Sequence, residues 1–246
     1  MASFENAILG DVKGKVGQVI GRRRGKKFFF YAAPREVKIS NTPQAIISRK
    51  KMKPVAQFAS VVNSIPELKN LWKSSKIEAF DAFHKIEKLN YPFFTSERPT
   101  KENTIIPNIH TDNNITESSI SEKGIKLKIF ISIIEEPEFD GVKELAGIGV
   151  ICYYNPIDKT MDYFHLSKIR TGTFNVKIDK QFEIEIPFSG GERSNYNSYL
   201  SCIIYFTFVA KDFTGIPVKY CCNYRNEFVH EIIGEKERFK VCDSRP

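Results

Sequence analysis

The sequence lacks the long apolar segments that mark secreted or membrane-spanning chains. No run approaches the ~20 residues of a membrane-spanning helix, and the longest, Leu200 to Ala210, has the length of a buried strand. The opening residues, MASFENAILGDVKGKVG, contain neither the apolar region nor the cleavage pattern of a secretory signal. We therefore expect a chain that is not secreted by a signal peptide and does not enter a membrane.

Cysteine is scarce and its spacing is uninformative. The chain has five cysteines and contains neither C-x-x-C nor H-x-x-x-H. An odd number of cysteines without a signal peptide indicates free thiols in a reducing compartment. Cys202, Cys222 and Cys242 could meet across neighbouring strands, but a buried free thiol is the commoner arrangement. We predict no metal site and no cofactor.

Patterns typical of catalysis or nucleotide hydrolysis are also missing. The four histidines stand apart from any nucleophile motif, and there is no G-x-S-x-G. The glycines of GDVKGKVGQVIG do not follow the G-x-x-x-x-G-K-[ST] order of a phosphate-binding loop. We therefore expect no enzymatic activity and name no catalytic residue.

Acidic residues are few in the first third of the chain. Residues 1–94 carry 18 Lys and Arg against 7 Asp and Glu, a balance of +11, whereas residues 95–246 carry 19 against 22, a balance of −3. Such a basic segment favours an acidic partner. The alternative is that these cations only keep exposed surface soluble.

The segment GKVGQVIGRRRGKKFFFY, residues 14–31, predicts two extended arms around the loop GRRRG, with Gly21 and Gly25 at the end of a hairpin. Its cations would attract an acidic surface, and its glycines would let another backbone approach closely. The predicted partner-binding residues are Arg22, Arg23, Arg24, Lys26, Lys27, Gly14, Gly17 and Gly21. Three interpretations remain open: a contact with a protein assembly, a grip on nucleic-acid phosphates and bases, and a solvated tip.

Helical signals follow the hairpin. Thr42 can cap a helix that starts at Pro43, and Pro54 should kink or interrupt it. The sequence SKIE at 75–78 has the form of a capping box and predicts the start of a later helix. A second basic cluster, Arg49, Lys50, Lys51 and Lys53, favours a solvated helix face that could extend the positive surface of the hairpin.

From Ile125 onward the apolar pattern has a period of two and predicts several short strands without intervening helices. The expected fold class is α+β: an N-terminal β-hairpin with short helices, then an all-β antiparallel immunoglobulin-like sandwich. The expected domains are a basic anchoring region at 1–94, a polar linker or long loop at 95–123, and a β-sandwich at 124–246.

The opening segments ILGDVKGKVGQVIG and NTPQAIISRKKMKPVAQF resemble the start of a large uncharacterised family from Bacteroidota genomes. That family shows a G-K-V-G hairpin, a T-x-x-Q helix and a C-terminal sandwich. The matching residues are Gly14, Lys15, Val16, Gly17, Val19, Gly21, Gly25, Thr42, Gln44, Arg49 and Phe58. The opening is also similar to small structural proteins of phages and phage-derived particles. The resemblance implies a non-enzymatic role in an assembly.

These observations predict a structural, adaptor or cargo protein of a phage-like particle or contractile injection system, docked through the basic hairpin. The expected partners are other proteins of that assembly, which would also set the oligomeric state. The expected location is the cytoplasm or the particle. The alternative function is nucleic-acid binding through the same hairpin.

Overall fold

The computed structural model describes residues 2–3, 14–16, 19–24, 27–32, 39–108, 115–130, 144–175, 180–211, 217–231 and 238–241. The chain divides into two compact units, Met1–Ile46 and Ile47–Pro246. This division differs from the expected one, which placed the first boundary at residue 94.

The first unit contains a four-stranded antiparallel sheet in the order β1-β4-β3-β2. Its strands are β1 (Ala2–Ser3), β2 (Gly14–Val16), β3 (Val19–Arg24) and β4 (Lys27–Ala32). The predicted hairpin is therefore present as β3 and β4. Its turn lies later in the chain than expected, so the three arginines belong to β3 and not to the loop.

The helices of the described residues are α1 (Pro43–Asn63), α2 (Pro66–Ser74), α3 (Ala82–Asn90) and α4 (Gly190–Ser198). As expected, Thr42 caps α1: its Oγ1 accepts a hydrogen bond from the Ala45 N–H at 3.3 Å. α1 continues through Pro54, which was expected to kink or interrupt it.

The helix predicted to begin at the SKIE segment begins later, at Ala82. Asp81 caps it, since the Asp81 carboxylate accepts a hydrogen bond from the His84 N–H at 3.0 Å. The preceding loop is held by Lys85, whose Nζ donates to the backbone oxygens of Lys73 and Ser75 at 3.0 and 2.7 Å. A carboxylate adjacent to the apolar helix face therefore sets the start of α3.

The second unit contains two antiparallel sheets, one of three strands (β5-β6-β9) and one of five (β12-β11-β10-β7-β8). Their bounds are β5 Ile115–Ser121, β6 Gly124–Phe130, β7 Glu144–Pro156, β8 Phe164–Asn175, β9 Gln181–Pro187, β10 Tyr199–Lys211, β11 Pro217–Glu231 and β12 Arg238–Val241.

One hydrophobic core joins the two sheets. Leu127 of β6 and Ile186 of β9 belong to the same buried cluster as Ile151 of β7 and Phe206 and Phe208 of β10. The rings of Phe206 and Phe208 meet edge to face with centroids 5.1 Å apart. The three-stranded sheet thus covers one face of the five-stranded sheet.

A second core covers the opposite face of the five-stranded sheet with α1, α2 and α3. Phe58 of α1 and Trp72 of α2 share this core with Val150 of β7 and Tyr205 of β10. The rings of Phe58 and Tyr205 meet edge to face at 5.4 Å. The helices therefore form an outer layer of the same body as the sheets.

The segment expected to be a polar linker, residues 95–123, carries buried structure. Ile105 and Ile106 are fully buried, and the Ile105 backbone oxygen accepts a hydrogen bond from Trp72 Nε1 at 2.7 Å. The Asn90 side chain fastens the same segment by accepting from the Thr104 N–H at 2.7 Å. The buried side chains of Asn103 and Thr104 in this segment thus serve as internal hydrogen-bond partners, donating to the backbone oxygens of Asn90 and Ile106.

A β-bulge in β11 helps to hold this segment. The register between β10 and β11 shifts between Phe206 and Phe208, and Cys222 of β11 has a left-handed φ of 61°. The next residue, Asn223, donates from Nδ2 to the Asn108 backbone oxygen at 2.6 Å and accepts from Thr104 Oγ1 at 3.0 Å. The bulge thus turns a strand residue toward the covering segment.

The fold is mixed α+β and is built mostly from antiparallel strands, which confirms the coarse fold class expected from the sequence.

Candidate functional site

The arginines predicted to bind a partner lie in β3, where the sheet orders their backbone. Arg22, Arg23 and Arg24 are paired with Phe29, Phe28 and Lys27 of β4. Two of the other predicted residues, Lys26 and Gly17, lie outside the described residues. The backbones of four of the five predicted cationic residues therefore lie on two adjacent strands.

Two of the predicted glycines lie opposite each other. Gly14 of β2 pairs with Gly21 of β3, and Gly21 also pairs with Phe30 of β4. Gly21 is buried. Because neither glycine has a side chain, no side chain projects from the sheet at this pair.

The positive charge of the chain is concentrated in this small unit. Residues 1–46 contain nine Lys and Arg against three Asp and Glu, a balance of +6, and the remaining 200 residues have a balance of +2. The unit therefore has a far higher density of net positive charge than the rest of the chain.

The second basic cluster divides into two parts. Lys51 turns toward the protein: its Nζ donates to the Pro92 backbone oxygen at 3.3 Å and lies 4.7 Å from the centre of the Tyr91 ring. Arg49, Lys50 and Lys53 instead line a groove of about 500 Å³. The other residues that line it are Pro54, Gln57, Ser96, Glu97, Asp162, Tyr163 and Phe164. We call this the α1 groove.

The α1 groove was not predicted, because its walls are far apart in sequence. α1 forms one wall. Ser96 and Glu97, which follow the 3₁₀ helix Tyr91–Phe93, form the second, and Asp162 and Tyr163 of the β7–β8 connection form the third. The sequence signals available were the basic run in α1 and the polar turn NPIDKTMDY, but nothing in either indicated that they meet.

A groove of similar size, about 490 Å³, lies beside the β5–β6 turn and the start of α4. Of the cations that line it, Lys126 forms an ion pair with Glu185. The hydrogen bond from Lys126 to Glu185 raises the pKa of the Lys126 ammonium. Such an exposed pair contributes little to stability.

A half-buried polar cluster joins the 95–98 turn to the five-stranded sheet. The Arg98 guanidinium stacks on the Tyr154 ring at 3.8 Å and lies 3.6 Å from Glu227 Oε1, which also accepts a hydrogen bond from the Tyr154 hydroxyl. Burial, followed by the hydrogen bond to Glu227, raises the pKa of Tyr154. The tyrosine is therefore a hydrogen-bond donor at neutral pH, and the cluster clamps the turn to the sheet.

The thiols of Cys152, Cys202 and Cys222 are buried and form no disulfide. Cys152 and Cys202 both have raised pKa values, chiefly because burial disfavours the thiolate. Cys222 is buried beside the bulge, and the Cys242 side chain lies outside the described residues. No group of three or more His, Cys, Asp and Glu is placed to hold a metal ion within the part of the chain that the structure describes.

Comparisons with protein-family models, curated proteins and solved structures found no match for this chain. Within the described residues, no helix has the length and apolar character needed to span a membrane.

Proposed function

We propose that this protein is a non-enzymatic structural or adaptor protein that docks onto an acidic protein surface through its N-terminal unit. The observation that carries the proposal is the charge balance of +6 on the 46 residues of a compact unit with its own sheet, whereas the 200 residues of the second unit have a balance of +2. Complementary charge speeds association and selects partners.

The N-terminal sheet suits this role because it holds its arginines on regular strands. The backbone of Arg22 to Arg24 is paired along its length with β4, so the cations are spaced by the strand and not by a loop. Ordering a charged segment before it binds lowers the entropy lost on docking.

The second unit would act as a spacer or would present a surface to other proteins. We infer that its two sheets form an immunoglobulin-like sandwich. In that fold strands A, B and E adjoin in one sheet, and strands G, F and C adjoin in the other. The strand orders β5-β6-β9 and β11-β10-β7 match these two sets, which supports the inference. β8 then lies beside β7, as strand C′ lies beside strand C, and β12 extends the sheet beyond β11.

The resemblance of the opening motif to phage-related structural proteins suggests the kind of assembly. We propose a phage-like particle or a contractile injection system, with the protein in the cytoplasm or within the particle.

The test is recovery of the tagged full-length protein from its source cells at low and high salt, with nuclease treatment and mass spectrometry of the partners. We expect proteins of one assembly to be recovered at low salt and to resist nuclease. The combined Arg22→Ala, Arg23→Ala and Arg24→Ala variant should lose them. The combined Lys69→Ala, Lys73→Ala and Lys159→Ala variant removes the same charge from exposed positions of the body and should retain them.

Two outcomes would contradict the proposal. A protein that is recovered as a lone monomer under every condition has no docking partner. The second is that nuclease separates the protein from its partners, and that binding depends steeply on salt in the wild type and less steeply in the arginine variant. That result would mean that the protein binds nucleic acid through the same strand.

A further inference from the structure

The α1 groove contains charges of both signs that do not neutralise each other. Lys50 and Lys53 are exposed on α1, and Glu97 and Asp162 are exposed on two other elements. Among the residues that the structure describes, none of these four side chains is within ion-pair distance of an opposite charge. The groove therefore offers both cations and carboxylates to a ligand that carries an anionic group and hydrogen-bond donors.

An aromatic side chain adds a third kind of contact. Tyr163 lines the groove and is 44% exposed, so part of its ring remains available to a ligand. An exposed aromatic ring and lysines in the lining of one groove are the groups with which a protein binds a nucleic-acid base and its phosphate.

The wall that carries Tyr163 is fixed in place. The Thr160 N–H donates to Asp158 Oδ1 at 2.8 Å, and the Met161 N–H donates to the Asp158 backbone oxygen at 3.1 Å. The Tyr199 hydroxyl donates to the Asp162 backbone oxygen at 3.1 Å. Because the connection is already ordered, a ligand would lose little of its binding energy in ordering it.

From this arrangement we propose that the α1 groove binds a nucleoside phosphate, either as a free nucleotide or as one residue of a single strand. The phosphate lies at Lys50 and Lys53, the base stacks on Tyr163, and amino groups of the base donate to Glu97 or Asp162. The volume of about 500 Å³ lies within the range of small-ligand sites. The site lies wholly in Ile47–Pro246 and does not depend on docking by the N-terminal unit.

The first experiment is calorimetric titration of the full chain with guanosine 5′-monophosphate, with guanosine and inorganic phosphate titrated separately. The nucleotide should bind saturably, and each half should bind about tenfold or more weakly, because it lacks one set of contacts. Absence of saturable nucleotide and oligonucleotide binding up to millimolar concentrations would overturn the proposal.

Substitutions of the groove residues test whether the nucleotide binds in the α1 groove. The Lys50→Glu and Lys53→Glu double variant should weaken binding about tenfold or more, and Tyr163→Ala should weaken it about tenfold through lost stacking. The matched control is Lys69→Glu with Lys73→Glu, two exposed cations on α2, which should leave binding unchanged. Thermal melts establish that each variant is folded. Binding that the Lys50 and Lys53 variant leaves intact contradicts the assignment.

A short single-stranded oligonucleotide distinguishes the two sources of the ligand. Equal affinity for the mononucleotide and the oligonucleotide would identify a free nucleotide as the ligand. Much tighter binding of the oligonucleotide, lost in the Lys50 and Lys53 variant, would identify a single strand as the ligand. A zwitterionic dipeptide also matches the charges of the groove, and its binding in place of the nucleotide would overturn the proposal. The triple arginine variant should bind the nucleotide normally, which separates this test from that of docking.

Discussion

The two sheets of the second unit differ in how many of their faces are buried. In β6 of the three-stranded sheet, Leu127 and Ile129 are fully buried, whereas Lys126 is exposed and Lys128 partly so. In β10 of the five-stranded sheet, neighbouring residues such as Ile203 and Ile204 are both fully buried. The first sheet has one covered face, and the second lies between two layers.

This difference is visible in the sequence. One-sided strands alternate, as in IKLKIF of β6 and QFEIEIP of β9, whereas the strands covered on both faces form the continuous apolar runs GIGVICYY and LSCIIYFTFVA. A continuous run thus requires a layer on each side. The three-stranded sheet covers one face of the five-stranded sheet, and helices α1 to α3 cover the other.

The strongest test of this comparison uses neighbouring residues on each kind of strand. Ile203→Ala and Ile204→Ala should each lower the free energy of unfolding by about 3 to 4 kcal/mol, because each removes atoms from a different core. In β6, Leu127→Ala should have an effect of this size, and Lys128→Ala should leave the unfolding midpoint nearly unchanged. Urea titration measures all four. A small effect at Ile203 would contradict the helical layer.

The next test removes the hydrogen bonds that join Asn90 of α3 to the backbone of Thr104. Asn90→Ala should lower the free energy of unfolding by about 3 kcal/mol, because the Thr104 N–H and C=O would lose their partners in a buried place. Asn70→Ala, at an exposed position of α2, is the matched control and should change little. Equal effects of the two changes would mean that the segment near residue 104 is not held by Asn90.

A glycine in β7 provides a test of packing within the five-stranded sheet. A methyl group at Gly149 would lie 2.6 Å from the Tyr205 backbone oxygen and 2.9 Å from Ile169 Cγ1. Gly149→Ala should therefore lower the free energy of unfolding by about 2 kcal/mol. Gly172→Ala, where nothing lies within 4 Å of the added group, controls for the change of residue type. A stabilised Gly149→Ala protein would contradict the packing described.

The smallest expected effect concerns the start of α3. Asp81→Ala should lower the free energy of unfolding by about 1 kcal/mol at pH 7, whereas Asp81→Asn should keep most of the cap. The hydrogen bond from the His84 N–H lowers the pKa of Asp81. The part of the cap's contribution that depends on the carboxylate charge is therefore fully present above about pH 4 and is lost as the pH falls through the lowered pKa. Unfolding curves at pH 7 and pH 3 should show the difference between wild type and Asp81→Ala shrinking in acid.

Much of the fold could be predicted because local patterns determine it. Thr42 with Pro43 predicted the start of α1, and alternation predicted β6 and β9. α4 was missed, since its two glycines suggested a turn although Ser189 and Glu192 form a capping box. That signal could have been recognised. The domain boundary depended on packing between helices and distant strands, which no local pattern reports.

The candidate sites were less predictable for the same reason. The basic hairpin is a local feature, and only the position of Arg22 to Arg24 within β3 required the structure. The α1 groove is lined by both Lys53 and Tyr163, which are more than a hundred residues apart in the sequence. From sequence alone, Arg49, Lys50 and Lys53 were indistinguishable from a solvated helix face.

The central claim is that the three helices and both sheets form one body and that only the segment before them is a separate unit. Native-state hydrogen exchange of the full chain tests this claim most directly. We predict that amides of α2 and α3 exchange with the same free energy of opening as amides of β10. Helical amides that exchange through a much cheaper opening, while β10 stays protected, would contradict the claim and would favour a separate anchoring region that extends to residue 94.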